Sequence, residues 1–339
     1  MVQKARKKKS GISIFAIFFM MAAIAVVACI SIITPENYNI LEYDDKTSSY
    51  SSLTIKPDSS GYRTIPVSPP EKKADSPASI SENGLHSRNA ILIRLKDNTI
   101  LMQKNSDEKI YPASLTKMMT TIVAIENLYN LKEKIKLTNS MFQGLFEADA
   151  SMAGFQPGEE VRAIDLLYGV MLPSGAECCI ALAEHIAGSE ENFVNLMNQK
   201  AEDLGMKNTH FENTTGLHIE NHYTTVEDLA VLLSYALEND AFREIFTTFR
   251  YSTPPTNVHP GGITFYSTMY EKLGDQNIAD GEILGGKTGY TDKAGLCLAS
   301  LAKVGREEYI LITTGAKGNH KTEQYNVTDA VAVYNSIRK

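Results

Sequence analysis

The order of hydrophobic patterns after residue 88 is the feature that most constrains the fold of this chain. "NAILIRL" and "TILMQKN" flank "KDN", and "GLCLASLAKV" and "EYILITTGA" flank "GRE", so each pair predicts a β-hairpin. Between the hairpins the pattern is mostly helical, and "TEQYNVTDAVAVYNSI" predicts a closing helix. This order predicts an α/β chain of the α+β type. Both ends would build one antiparallel sheet flanked by helices, with an all-helical insertion at about residues 131–281.

The charge of the chain is unevenly distributed. The first ten residues carry +5 and the whole chain −7, so the remainder carries −12. Proteins that bind nucleic acids present a basic face, and an acidic body argues against that class. With 43% hydrophobic and 22% charged residues, the chain has enough apolar side chains for a full globular core.

An uncharged apolar segment, residues 12–33, follows the basic start. As a helix it would span about 33 Å, enough for one membrane crossing. The positive-inside rule then leaves residues 1–11 in the cytoplasm and everything after residue 33 outside the cell. A cleaved signal peptide and a lipoprotein processed at Cys29 in "VVAC" are the alternatives. The length of the run argues against the first, and the apolar "ISII" after the cysteine argues against the second.

Residues 34–87 are rich in Ser, Pro, Asp, Lys and Tyr and show no sustained periodicity. This composition predicts a disordered tether. A flexible chain of this length has a root-mean-square reach of roughly 40 Å, so it would hold a domain off the membrane. The domain itself is predicted to occupy residues 88–339.

Three short polar stretches stand out in this domain. They are S-L-T-K at 114–117, S-G-A at 174–176 and K-T-G at 287–289. The first opens a predicted helix, which places Ser114 and Lys117 on one face and within reach of each other. The second lies in a break between two predicted helices, and the third is predicted to stand just before a strand.

Together these side chains suit acyl transfer. Ser114 is a weak nucleophile unless a base takes its proton, and Lys117 is that base if its amine is neutral. A nearby second cation, Lys287, would lower the pKa of Lys117 by repulsion. Ser174 is placed to relay a proton to the leaving amine. The backbone N–H groups of Ser114 and Tyr290 are the predicted donors to the oxyanion.

In this order the three stretches resemble the active-site motifs of penicillin-binding proteins. "YPASLTKMMT", "LLYGVMLPSG", "HYTTVEDLA" and "GGKTGYTDKAGLCLAS" extend the likeness over about residues 88–339, to the low-molecular-weight group of serine-type D-alanyl-D-alanine carboxypeptidases. The resemblance implies a β-lactamase/transpeptidase-like fold and a membrane-attached enzyme that faces the bacterial cell wall. It also implies removal of the terminal D-alanine from peptidoglycan stem peptides through an acyl-serine, acylation by β-lactams, and no cofactor or metal.

The resemblance carries roles onto the residues that match its motifs. The catalytic residues would be the nucleophile Ser114, the general base Lys117 and the proton relay Ser174. The substrate-binding residues would be Lys287, Thr288, Gly289, Tyr290 through its backbone N–H, and Lys317 in "TTGAKG" as a further carboxylate contact.

Two departures from the family pattern bear on activity and architecture. Ala176 stands where the family usually has an asparagine, whose amide would orient Lys117 and bind the substrate. Either acylation is slowed, or Glu177 or another group compensates. The chain also stops soon after the closing helix, which predicts that the β-rich C-terminal domain and C-terminal membrane helix of many relatives are missing.

Other interpretations of the same residues are open. A β-lactamase would need an E-x-x-L-N stretch between the second and third motifs, and the sequence has none. A penicillin- or muropeptide-binding module with little turnover would fit the loss of the asparagine. In "HIENH", His218 and His222 lack the glutamate spacing of a zinc protease, so a metal site is not expected. The adjacent Cys178 and Cys179 are predicted to be small core residues.

Overall fold

The fold centres on a six-stranded antiparallel sheet, in a computed structural model that describes residues 81–337. The strand order is β2-β1-β10-β9-β8-β7. The strands are β1 (Asn89–Arg94), β2 (Thr99–Lys104), β7 (Asn277–Ile278), β8 (Gly281–Thr291), β9 (Gly295–Val304) and β10 (Glu307–Ala316). Because β1 pairs with β10, with Ile91 opposite Ile312, the two ends of the domain close one sheet, which confirms the prediction.

Both faces of this sheet are buried, because successive side chains of a strand point to opposite sides. Ile91 and Ile93 pack into the larger core under the helical insertion. Ala90 and Leu92, one position out of phase, pack into a smaller core with Val327 and its neighbours in the closing helix. The strands are therefore apolar on both faces rather than strictly alternating.

Eight α-helices accompany the sheet in residues 81–337. They are α1 (Thr116–Asn127), α2 (Ala163–Met171), α3 (Ala176–Ala187), α4 (Glu190–Asp203), α5 (Val226–Ala236), α6 (Asp240–Thr247), α7 (Thr268–Leu273) and α8 (Tyr325–Ser336). Side chains of Ser189, Thr225 and Asn239 cap α4, α5 and α6 by accepting hydrogen bonds from backbone N–H groups.

The insertion at residues 131–281 is not all-helical, and this prediction is wrong in that respect. It contains two small antiparallel sheets, β3 (Lys134–Lys136) with β4 (Glu160–Arg162) and β5 (Arg250–Ser252) with β6 (Thr264–Tyr266). Strands of three residues carry too little alternation to be recognised in a sequence.

The folded part also begins before residue 88. Asp329 in α8 accepts hydrogen bonds from the backbone N–H of His86 and from both the N–H and the hydroxyl of Ser87, at 2.6–3.0 Å. The ring of His86 stacks on Tyr325 at 4.0 Å between centroids. The last residues of the predicted tether are thus bound to the domain.

The predicted segments 1–11 and 12–33, and the tether up to residue 80, lie outside the described residues. Across residues 81–337, no helix is both long and apolar enough to cross a membrane.

Candidate active site

The serine and lysine of the first motif lie at the start of the central helix. Ser114 sits in a short 3-10 turn, Ala113–Leu115, which runs directly into α1. Lys117 is only 3% exposed and donates hydrogen bonds from Nζ to Ser114 Oγ at 3.1 Å and to the carbonyl of Thr215 at 2.6 Å. The predicted contact between the two side chains is therefore present.

The surroundings of Lys117 favour a neutral amine. Burial lowers its pKa, while the charges of Cys179 and Glu177 act in the opposite direction. Repulsion from Lys287, the cause predicted from the sequence, does not contribute to this shift. The repulsion between the two lysines instead adds to the effect of burial on Lys287, whose pKa lies well below its usual value. A buried amine with a lowered pKa can accept the proton of Ser114.

The second motif meets the third through a hydrogen bond. Lys287 is fully buried and donates from Nζ to Ser174 Oγ at 2.9 Å and to the carbonyl of Thr288 at 3.0 Å. Ser174 has a φ of +69°, an uncommon value for a residue with a side chain. This turn places its hydroxyl in the cleft, 5% exposed, beside the first motif.

The K-T-G stretch lies inside β8, not just before a strand as predicted. Its glycine lets the strand approach the first motif closely, since a Cβ at Gly289 would lie 3.1 Å from the backbone N of Ser114. The amide of Tyr290 follows directly, so the two predicted oxyanion donors belong to adjacent segments. The hydroxyl of Thr288 lies 2.7 Å from that of Thr268 in α7.

These groups open into a cleft of about 280 Å³. Its lining includes Ser114, Ser174, Thr288, Gly289 and Tyr290 among the predicted residues. Lys287 is buried behind it. Lys317 is exposed one residue beyond the end of β10 and is not part of the lining.

Sequence reasoning missed more than half of the lining. The additional residues are Ser151, Thr268, Glu271, Lys272, Leu296, His320, Gln324 and Asn326. They come from separate segments that only the folded chain brings together, and no short motif marks them.

The residue that replaces the family asparagine is buried and apolar. Ala176, 1% exposed, starts α3, and its N–H donates to the carbonyl of Ser151 at 2.8 Å. Glu177 follows, fully buried, and its Oε1 accepts from the N–H groups of Ala153 and Gly154 at 2.7 and 2.8 Å. Burial raises the pKa of this carboxyl.

Cys178, Cys179 and His222, which stand out in the sequence, are buried and contact other parts of the protein. Cys178 and Cys179 are buried free thiols, and burial raises the pKa of Cys179 to about 12, which leaves the thiol protonated. His222 lies 2.8 Å from Thr116 Oγ1 through Nε2 and accepts the N–H of Glu212 at Nδ1. Within residues 81–337 no cluster of His, Cys, Asp or Glu is arranged to hold a metal ion.

Fold and cleft together define a serine peptidase of the transpeptidase-like fold, with a buried lysine beside the serine. The chain belongs to the S11 peptidase family of D-alanyl-D-alanine carboxypeptidases, whose profile matches residues 75–318. The resemblance noted in the sequence is thereby confirmed.

Named relatives agree with this assignment. The chain is 36% identical over 241 residues to the D-alanyl-D-alanine carboxypeptidase DacF of Bacillus subtilis, covering 70% of this chain and 59% of the relative. It is 35% identical over 245 residues to DacC of Escherichia coli, covering 67% and 56%. The chain thus spans less than two thirds of the length of these curated relatives.

Solved structures confirm the fold. The crystal structure of the Streptomyces K15 DD-transpeptidase superposes with a TM-score of 0.66 at 26% identity, covering 76% of this chain and 98% of that chain. A D-alanyl-D-alanine carboxypeptidase from Mycobacterium tuberculosis, at 23% identity, shares the fold with a TM-score of 0.66.

Proposed function

We propose that this protein is a serine D-alanyl-D-alanine carboxypeptidase that removes the terminal D-alanine of peptidoglycan stem peptides. One observation carries the proposal: the Nζ of Lys117, buried and with a lowered pKa, lies 3.1 Å from Ser114 Oγ at the edge of an open cleft. Membership of the S11 family supports the choice of substrate.

In the first half-reaction, Ser114 Oγ attacks the carbonyl carbon of the scissile amide while the neutral amine of Lys117 takes its proton. The amides of Ser114 and Tyr290 would stabilise the oxyanion, at the place where Gly289 lets the two segments meet. Collapse of this intermediate breaks the C–N bond. Ser174 would pass a proton to the departing amine, which leaves as D-alanine.

In the second half-reaction, water attacks the acyl-serine ester and Lys117 again serves as the base. The proton then returns to Ser114 Oγ as the shortened peptide leaves. The terminal carboxylate of the substrate would bind the hydroxyl of Thr288, which lines the cleft. Lys287 is fully buried against Ser174, so it supports the relay rather than touching the carboxylate. Lys317 would act only as an exposed cation nearby.

The same site would react with β-lactams, because their strained amide presents a carbonyl to the same nucleophile. The apolar segment 12–33 would anchor the enzyme in the membrane, and the tether would let the domain at residues 88–339 reach the wall outside the cell. The uneven charge at the N-terminus supports this orientation.

The test is intact-mass spectrometry of the full-length protein after incubation with benzylpenicillin, together with an assay of D-alanine release from an acylated peptide ending in D-Ala-D-Ala. A stable adduct on Ser114 and release that disappears in Ser114→Ala are expected. Rapid loss of the drug without an adduct would indicate a β-lactamase. A peptide that binds without any release would indicate a binding module, in line with the buried alanine at position 176.

A further inference from the structure

Three of the residues that line the cleft are serines. Ser114 and Ser174 come from the first two motifs, and Ser151 comes from the segment before β4. The other lining residues come from β8, α7, the start of β9 and residues 320–326. A peptide bound in the cleft can therefore form hydrogen bonds with serine hydroxyls from three separate segments.

Two of the three hydroxyls are already engaged. Ser114 Oγ accepts from Lys117 and Ser174 Oγ accepts from Lys287. The hydroxyl of Ser151 is exposed and forms no hydrogen bond with any other residue between 81 and 337. Among the three serines, it is therefore the one whose hydroxyl has no contact with another described side chain, so both its donor and its acceptor sites can bind a ligand.

The backbone of Ser151 is nevertheless firmly held. Its carbonyl accepts the N–H of Ala176 at 2.8 Å. Two and three positions further along the chain, the N–H groups of Ala153 and Gly154 donate to Glu177 Oε1. The two segments pack so closely that a Cβ at Gly175 would lie 2.9 Å from the backbone N of Ala153. A hydroxyl on such a fixed backbone is preorganised for binding.

Ala176 itself offers no polar contact. Its side chain is a buried methyl group, yet its N–H is the donor that fixes Ser151. Ser151, which is hydrogen-bonded through its backbone to Ala176, therefore supplies the cleft with a hydroxyl that Ala176 does not have.

We propose that Ser151 is a substrate-binding residue whose hydroxyl hydrogen-bonds the peptide amide that precedes the scissile bond, in place of a polar side chain at position 176. This inference rests on the proposed function for the identity of the substrate. It makes Ser151 an orienting contact and leaves proton transfer to the lysines and the two motif serines.

The test uses the full-length protein in two backgrounds. In Ser114→Ala, which binds without reacting, calorimetry measures the Kd for an N-acylated tripeptide ending in D-Ala-D-Ala, with and without Ser151→Ala. In the wild-type background the same change is followed by kcat/KM for D-alanine release. Ser140→Ala removes an exposed serine outside the cleft and is the matched control.

Loss of one hydrogen bond predicts a rise in Kd and a fall in kcat/KM of about 10-fold for Ser151→Ala, with no change in the thermal midpoint. Ser151→Thr keeps the hydroxyl and should restore most of the affinity. The proposal is overturned if Ser151→Ala matches the control, if Ser151→Thr is as impaired as Ser151→Ala, or if Ser114→Ala does not bind the peptide. Absent turnover in the wild type would refute the carboxypeptidase instead, and the binding measurement would still decide the role of Ser151.

Discussion

Lys287 Nζ donates a hydrogen bond to Ser174 Oγ at 2.9 Å, and no part of the lysine side chain reaches solvent. The bond joins the K-T-G strand to the loop between α2 and α3. It fixes the hydroxyl of Ser174 at the cleft, although the turn that carries it has an unfavourable φ.

Ser174→Ala should therefore slow acylation without unfolding the protein. The change removes the proposed proton relay, and general acid–base groups contribute about 100-fold or more to such steps. We expect kcat/KM for D-alanine release to fall by at least about 100-fold. Ser252→Ala, in the small β5–β6 sheet, is the control and should retain full activity. An active Ser174→Ala enzyme would show that the proton takes another route.

The pH dependence of acylation should follow Lys117. Burial lowers its pKa, and the rate of acylation is expected to fall as the pH drops through that pKa, because the protonated amine cannot act as a base. Glu177 opposes this lowering by its charge. Glu177→Gln keeps an oxygen acceptor for the amides of Ala153 and Gly154, so the acidic limb of the profile should move to lower pH.

The measurement is the rate of acylation by benzylpenicillin as a function of pH. Glu184→Gln, on the same helix but outside the cleft, is the control and should leave the limb in place. A shift of the Glu177→Gln limb to higher pH would contradict the assignment of Lys117 as the base.

Gly289→Ala tests the close approach of β8 to the first motif. The added Cβ would meet the backbone N of Ser114 at 3.1 Å, so the two segments must separate by a few tenths of an ångström. Small misplacements of reacting groups are costly, and we expect acylation to slow by about 10- to 100-fold. Gly261→Ala is the control, because its Cβ would have no neighbour within 4 Å. Equal acylation rates in the two variants would show that the oxyanion site does not depend on the absence of a side chain at Gly289.

His222 should make the domain sensitive to mild acid. Burial lowers the pKa of its imidazole from 6.5 to about 4. The unfolded chain binds this proton at a higher pH than the folded one, so the stabilisation is complete above about pH 6.5 and is lost as the pH falls towards 4. The difference is about 3 kcal/mol of unfolding free energy.

Denaturant unfolding at several pH values measures this loss. His222→Gln should have a flatter profile between pH 6.5 and 4, although it is less stable at neutral pH. The exposed His320 is the control site, and His320→Gln should keep the slope of the wild type. An unchanged slope in His222→Gln would assign the acid sensitivity to other groups.

The parts of the fold that the sequence predicts are those with local patterns. Paired apolar runs around short polar turns predict β1 with β2 and β9 with β10. β8 was not predicted as a strand because "GEILGGKTGYT" is rich in glycine, which has low strand propensity. Its pairing with β9 stabilises the extended conformation.

The site divides in the same way. Ser114 and Lys117 are three positions apart on one helix start, so their contact follows from local geometry. Ser151 and Thr268 reach the cleft only through tertiary packing, and nothing in their neighbourhoods distinguishes them from surface residues. The cause of the lowered pKa of Lys117 also required the fold, because burial is a property of the whole core.

The pairing of Ile91 with Ile312 has a consequence for how the protein is made. The partners lie more than two hundred positions apart in the chain. The edge of β1 therefore stays unpaired until nearly the entire domain has been synthesised and β10 is available. Closing so long a loop is slow, and an uncovered edge strand can pair with another chain. Biogenesis of this protein is therefore most vulnerable to aggregation between the emergence of β2 and that of β10.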